Sequence, residues 1–167
     1  PQAEKQEYRY TSSTQASQAY ELPRTSRPQL EVDNIFGSIT VTGSERGTVD
    51  FKGVRSIRAV SEAKLQEAEN DVRLDIFVDG DTLRMRVNGP FRDEKGNVNW
   101  GNLGYIVKYD FELAVPARTR LSLKTINEGD VSVANMDEEF VVRNVNGRIT
   151  LTEMGGWGSA STVNGPV

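Results

Sequence analysis

The 167-residue chain contains no cysteine and no histidine. The absence of cysteine excludes disulfides, thiolate nucleophiles and thiolate metal sites, and the absence of histidine excludes His-based triads and most zinc sites. No apolar run approaches the roughly 18 residues that a membrane-spanning helix needs. We therefore predict no catalytic, metal or cofactor site and no membrane insertion within this chain.

Acidic residues outnumber basic residues by 24 to 20, so the net charge is −4 and the isoelectric point is near 5.0. Phosphate binding requires a basic face, so this balance argues against nucleic acid as a partner. The length corresponds to about one domain. A hydrophobic content of 37% with 15 glycines is typical of an ordinary globular protein.

The chain contains a repeat in which an apolar residue precedes Asn or Thr by two positions and a glycine follows shortly afterwards. The copies are VDNIFGSITV (32–41), LKTINEGDVSV (123–133), VRNVNGRITL (142–151) and ASTVNGPV (160–167). A period near 18 residues, as between Gly147 and Gly165, is too short for a propeller blade or a helical repeat. It is typical of one coil of a β-solenoid, whose coils bury their apolar sides by stacking.

We therefore predict an all-β fold: a single-stranded parallel β-solenoid over residues 20–167, preceded by a flexible polar leader at residues 1–19. Parallel coils of about 18 residues are expected over residues 121–167. The dipeptide Asn146-Gly147 is, however, also the usual signal of an antiparallel hairpin.

An insertion at about residues 61–103 interrupts the predicted solenoid. Residues 61–70 favour a helix capped by Ser61, with acids in its first half and no glycine or proline. Asp79-Gly80-Asp81 lies between two alternating segments and predicts a β-hairpin. We therefore expect a helix followed by a hairpin.

Stacked Asn or Thr side chains can bond along a ladder and to carbonyls that a bend leaves unpaired, while glycine permits a positive φ. We predict a structural corner ladder, with ligand binding by the Asn/Thr column as the alternative. Its members are Asn34, Thr125, Asn144, Thr162, Gly37, Gly129, Gly147 and Gly165. An inward apolar column would comprise Leu123, Val142 and Ala160.

The copies VDNIFGSITV, LKTINEGDVSV and VRNVNGRITL resemble those of the bacterial “putative adhesin” domains of unknown function. The helix-and-hairpin insertion and the strand ending at Val115-Pro116 follow the same order, and the resemblance covers residues 20–167. It implies an extracytoplasmic β-solenoid (secreted, periplasmic or cell-surface) that is often attached to the envelope. It implies no established biochemical activity, and no catalytic residue carries over.

Two tryptophans are candidate ligand contacts. Trp100 lies in a Gly/Asn-rich segment, and Trp157 is surrounded by glycines. An exposed tryptophan on a β-surface can stack on a sugar ring, but we favour the interpretation that these residues cap an end of the core.

Three further motifs have simpler interpretations. Ser61 to Lys64 matches the S-x-x-K of serine acyl-enzymes, but the partner motifs S-D-N and K-T-G are absent, so we interpret Ser61 as a helix cap. Asp79–Asp81 and Asp93–Asn97 carry oxygens suited to Ca²⁺ without the spacing of a calcium loop, so we interpret both as turns.

Parallel β-helix enzymes cleave polysaccharides with carboxylates that cluster across coils. In this chain the position before the Asn or Thr does not stack acids; it holds Asp33, Lys124, Arg143 and Ser161. The same is true of the position after the glycine, which holds Ser38, Asp130, Arg148 and Pro166. The acidic run Asp137–Glu139 is interpreted as a solvated turn.

We therefore predict a non-catalytic, adhesin-like binding or scaffolding module outside the cytoplasm, with a surface glycan or a protein as its partner. The alternatives are a polysaccharide-active β-helix enzyme and a self-assembling envelope structural protein. We also expect the chain to be a fragment with an incomplete last coil, whose open edge at residues 148–152 favours end-to-end self-association.

Overall fold

The computed structural model describes residues 8–95, 97–99, 101 and 103–167. Within these residues the chain forms twelve strands and one helix. In chain order they are β1 (Tyr10–Glu21), β2 (Gln29–Asp33), β3 (Ile39–Ser44), β4 (Thr48–Ala59), α1 (Glu62–Asp71), β5 (Arg73–Asp79), β6 (Thr82–Asn88), β7 (Tyr105–Pro116), β8 (Arg120–Thr125), β9 (Val131–Ala134), β10 (Phe140–Asn144), β11 (Ile149–Thr152) and β12 (Gly158–Thr162).

The strands form two six-stranded mixed sheets. The first sheet has the order β1-β4-β7-β3-β9-β11, and the second has the order β12-β10-β8-β2-β6-β5. Pairing is antiparallel in β1-β4-β7 and in β5-β6, and parallel from β7 to β11 and from β6 to β12. We call β1, β4, β5, β6, β7 and α1 the antiparallel end, and β2, β3 and β8 to β12 the parallel end.

The prediction of a single-stranded parallel β-solenoid is wrong. Strands β1, β4, β5 and β6 are full members of the two sheets, and three of the strand pairs are antiparallel. The repeat describes only the strands that carry it. It contains no information about how the long segments between the copies pair, because that depends on residues distant in sequence.

The prediction of a flexible leader over residues 1–19 is wrong from Tyr10 onward, where the chain forms a strand, and residues 1–7 lie outside the described residues. β1 pairs antiparallel with β4 along its whole length, from Tyr10 opposite Ala59 to Glu21 opposite Thr48. Its side chains are almost all exposed, so the strand shows no apolar alternation and its sequence looks like a linker.

The strands over residues 120–162 pair in parallel, as predicted. Val142 lies between Leu123 and Ala160, and Ile149 pairs with Val131. Asn146-Gly147 forms no hairpin, because β10 and β11 belong to different sheets and the turn between them crosses from one sheet to the other. The apolar pattern of the copies therefore outweighs the local turn signal.

The predicted helix and hairpin are both confirmed. Ser61 caps α1 by accepting a hydrogen bond from the Lys64 amide at 3.1 Å, and the Lys64 ammonium pairs with Glu67 at 2.9 Å. These contacts account for the S-x-x-K motif. Gly80 has φ +60° in the turn between β5 and β6, which pair antiparallel.

The facing sides of the two sheets form one hydrophobic core. Its fully buried side chains come from both ends of the molecule and include Leu30, Ile39, Leu123, Val131, Ile57, Met85, Phe111 and Leu113. Ala68 is buried and Leu65 is partly buried against this core, so α1 packs on it through these two side chains. No helix in the described ranges is long and apolar enough to cross a membrane.

Candidate functional site

The predicted Asn/Thr column lies where strands of the second sheet end and the chain turns toward the first. Asn34, Thr125 and Asn144 are buried. Each member donates to a backbone carbonyl of an adjacent layer: Asn34 Nδ2 to Tyr109 (2.8 Å), Thr125 Oγ1 to Gly37 (2.8 Å), Asn144 Nδ2 to Gly129 (3.0 Å) and Thr162 Oγ1 to Gly147 (2.9 Å). These are the bonds expected of a corner brace, and the burial leaves little surface for a ligand.

The glycines of the ladder are required mainly by close packing. Gly37 has φ +119°, but the backbones of Gly129, Gly147 and Gly165 do not adopt a positive φ, so that part of the prediction is wrong. A Cβ at any of these three would overlap the backbone of the equivalent glycine in the preceding copy of the repeat. In the copy with one extra residue, Glu128 adopts the positive φ instead, at 57°.

An exposed row of asparagines beside the glycines was missed by the sequence analysis. Asn164 Nδ2 donates to Asn146 Oδ1 at 2.7 Å, and Asn146 Nδ2 donates to Asn127 Oδ1. The signal was present, since each residue precedes its glycine by one or two positions. The amides bond mainly to one another, so this row links layers and offers no cavity.

The outer face of the second sheet carries an open groove of about 400 Å³ over β2, β8 and β10. We call it the outer-face groove. The side chains that matter for its chemistry are Glu31, Asp33, Lys124, Glu139, Val141 and Arg143. They meet there because alternate residues of a strand share a face and because these strands pair in register.

The carboxylates of the groove are neutralised by neighbouring arginines. Glu31 lies 3.3 Å from Arg84, and Asp33 lies 3.1 Å from Arg92 and 3.8 Å from Arg86. The third carboxylate of the groove, that of Glu139, is also paired with an arginine.

Glu139 pairs with Arg27 at 3.1 Å. By contrast, Lys124 and Arg143 lie directly opposite each other on β8 and β10. Over the part of the chain that the structure describes, neither has a carboxylate within salt-bridge distance. Like charges in directly opposed positions destabilise a sheet.

Asp33 lies opposite Lys124 on its other side but pairs with Arg92 and Arg86 instead, and Arg120 lines the same groove. An anion bound there would therefore be stabilised by unpaired positive charge.

Trp157 lies at the margin of this groove. Its carbonyl accepts a hydrogen bond from the Phe140 amide at 3.1 Å, which places it beside Glu139 on the neighbouring strand. Because Phe140 is buried and pairs with Gly158, alternation puts Trp157 on the outer face. The side chain is 72% exposed, so it does not cap the core. Trp100 lies outside the described residues.

The second candidate calcium segment has the geometry of a turn. Asp93 Oδ1 accepts from the amides of Lys95 and Asn97 at 2.9 and 2.8 Å. In the described ranges, no cluster of three or more acidic side chains has the arrangement of a metal site.

No protein-family model matches the sequence, and no curated protein matches it. Two solved structures are similar to it. One, from Clostridium sporogenes, is described as a “putative cell adhesion protein”; it is 10% identical, has a TM-score of 0.44, and the match covers 93% of this chain and 99% of that one. The other, a “putative adhesin” from Parabacteroides merdae, is 6% identical, has a TM-score of 0.30, and the match covers 94% and 96%. We assign no family from likenesses at this level.

Proposed function

We propose that the chain is a non-catalytic, adhesin-like binding module that holds an acidic glycan in the outer-face groove. The observation that carries the proposal is the pair Lys124 and Arg143, two adjacent cations that form no salt bridge among the described residues, in a groove with an exposed tryptophan beside its Glu139 end. An extracytoplasmic location belongs to the proposal, because the resemblance of the repeat implies it.

The groove offers the two kinds of contact that an acidic sugar needs. A uronate carboxylate or a sulfate would accept charge-assisted hydrogen bonds from Lys124 and Arg143, and the planar guanidinium can bind two oxygens at once. Trp157 lies beside Glu139, about 13 Å along β10 from Arg143, so it would stack on a ring farther along the same extended glycan. The open shape suits an extended chain rather than an enclosed small substrate.

The non-catalytic part of the proposal rests on the acids. A glycosidase needs one carboxyl group to donate a proton and another to act as base or nucleophile. Glu31 and Asp33 are each engaged in an ion pair with an arginine, so neither is free to serve as the proton donor or the nucleophile. The polysaccharide-active enzyme is therefore the less favoured candidate.

The test starts with a glycan array containing acidic and neutral polysaccharides, followed by titration with polygalacturonate. Binding should be selective for acidic glycans and should weaken with added salt. Trp157→Ala and Arg143→Gln should each weaken it about tenfold, the effect of losing a central contact. Lys52→Gln is the matched control, because Lys52 lies on the outer face of the first sheet.

Two results would contradict the proposal. Equal binding of neutral and acidic glycans, or binding insensitive to Arg143→Gln, would remove the role of the cation pair. Release of reducing ends from polygalacturonate during a long incubation would instead favour the enzyme.

A further inference from the structure

A second cavity opens at the antiparallel end of the molecule, between β5 of the second sheet and β1 and β4 of the first. Its volume is about 320 Å³, at the lower end of the range for small-molecule sites. We call it the inter-sheet cleft. Its apolar and aromatic walls are Tyr20, Phe51, Tyr109, Leu74 and Ile76.

The cleft exists because small residues occupy positions where larger side chains would fill the space between the two sheets. Gly53 on β4 pairs with Ala16 on β1, and both line the cleft. A Cβ at Gly53 would overlap the Phe51 ring, so the ring lies across the glycine. That ring makes edge contacts with Tyr20 at 6.2 Å and Phe111 at 5.9 Å. The aromatic floor is therefore held in place by packing.

Among the described residues that line the cleft, Arg55 is the one with a charged side chain. It pairs with Tyr109 across β4 and β7; burial raises the pKa of Tyr109, and the nearby guanidinium of Arg55 opposes that rise. The Arg55 Nε is buried without a hydrogen-bond acceptor. The nearby acid, Asp75, is engaged by Arg73 and Asn88, each at 3.0 Å.

The charge of Arg55 is therefore uncompensated. Among the described residues no carboxylate lies within salt-bridge distance of its guanidinium. A cation in mostly apolar surroundings carries a desolvation cost that only an anion or good hydrogen bonds offset. The remaining lining is uncharged, so a bound anion would meet no repulsion from the walls.

We propose that the inter-sheet cleft binds a small amphipathic carboxylate, with its acid group on Arg55 and its apolar body against Phe51 and Ile76. The cleft has room for about ten water-sized groups at roughly 30 Å³ each, which matches the number of non-hydrogen atoms in octanoate. This site is separate from the outer-face groove, which lies on the other side of the second sheet and at the parallel end.

The test is a calorimetric titration of the folded chain with octanoate, and with octanol as its uncharged counterpart. Octanoate should bind saturably and about tenfold more tightly than octanol, as expected for a charge-assisted hydrogen bond. Arg55→Gln should abolish that difference. Lys52→Gln removes a cation from the opposite face of the same strand, and it should leave both affinities unchanged.

A second variant tests the cavity without touching the charge. Ala16→Leu places a larger side chain over Gly53 on an exposed strand, and it should eliminate binding of both probes while the thermal unfolding curve is retained. The proposal is overturned if octanoate does not bind saturably, if octanol binds as tightly, or if binding survives both Arg55→Gln and Ala16→Leu.

Discussion

The parallel and antiparallel ends of the molecule share one core but are ordered by different means. At the parallel end, β8 to β12 are four to six residues long, and equivalent residues of successive copies lie beside one another. At the antiparallel end, β1, β4 and β7 have 12 residues each and are aligned by continuous pairing. The repeat therefore sets the alignment of the strands at the parallel end, whereas the long continuous pairing of the strands sets it at the antiparallel end.

This difference also accounts for the two candidate binding sites. At the parallel end, in-register stacking brings Lys124 and Arg143 together on a regular surface, which produces an open groove. At the antiparallel end, the small residues Gly53 and Ala16 leave a cleft between β5 and the strands β1 and β4. Regular stacking therefore produces a surface, whereas small residues between the sheets produce a cavity.

The largest expected difference between the ends concerns core leucines. Leu123, at the parallel end, is 1% exposed, and Leu123→Ala should lower the free energy of unfolding by roughly 2–5 kcal/mol. Leu65 on α1 is only partly buried, so Leu65→Ala should cost about 1 kcal/mol, less than a fully buried position would. Urea denaturation measures both. Equal losses would mean that α1 is as integral to the core as the stacked layers are.

Glycine substitutions should separate close packing from chain flexibility. Gly147→Ala should destabilise by roughly 1–3 kcal/mol, because its Cβ would overlap the Gly129 carbonyl of the layer below. Gly47→Ala is the matched control, since a Cβ there meets nothing within 4 Å and its φ is not positive. That change should be neutral or stabilise by about 0.5 kcal/mol. The midpoint of thermal unfolding should therefore fall for Gly147→Ala and should stay unchanged or rise for Gly47→Ala.

The corner column can be tested by exchange among its own residue types. Asn144→Ala removes hydrogen bonds to Gly129 and Arg148 and should cost roughly 1–3 kcal/mol. Asn144→Thr should recover part of this, because Thr125 and Thr162 make the corresponding bond with their hydroxyls. Chemical denaturation of both variants gives the comparison. A loss within experimental error for Asn144→Ala would contradict the bracing role.

The smallest effect is expected for two buried tyrosines of β7. The Tyr105 hydroxyl is buried without a partner, and burial raises its pKa, so Tyr105→Phe should be neutral or stabilise by about 1 kcal/mol. Tyr109→Phe removes a hydroxyl next to the Arg55 guanidinium and should cost about 1 kcal/mol. Differential scanning calorimetry would resolve the two. A destabilised Tyr105→Phe would show that its hydroxyl has a partner in solution.

Local features were predictable because their causes are local. Ser61 caps its own helix, and Gly80 supplies the φ that its own turn requires. β1 was not predictable, because an exposed edge strand carries no apolar alternation. The glycine ladder was predicted in position but not in cause, since the neighbour that excludes a side chain belongs to another layer.

The sequence by itself determined the register of the parallel end, because each copy presents the same apolar pattern and only one alignment buries Leu123 and Val142 together. It also determined the positions of the helix and the hairpin. Only the tertiary structure decided that two mixed sheets form, since strand partners are chosen by contacts far apart in the chain. The tertiary structure alone also decided the two candidate sites. Arg143 and Arg55 form no salt bridge within the described part of the chain because of the side chains that surround them in space, and the sequence does not show which side chains those are.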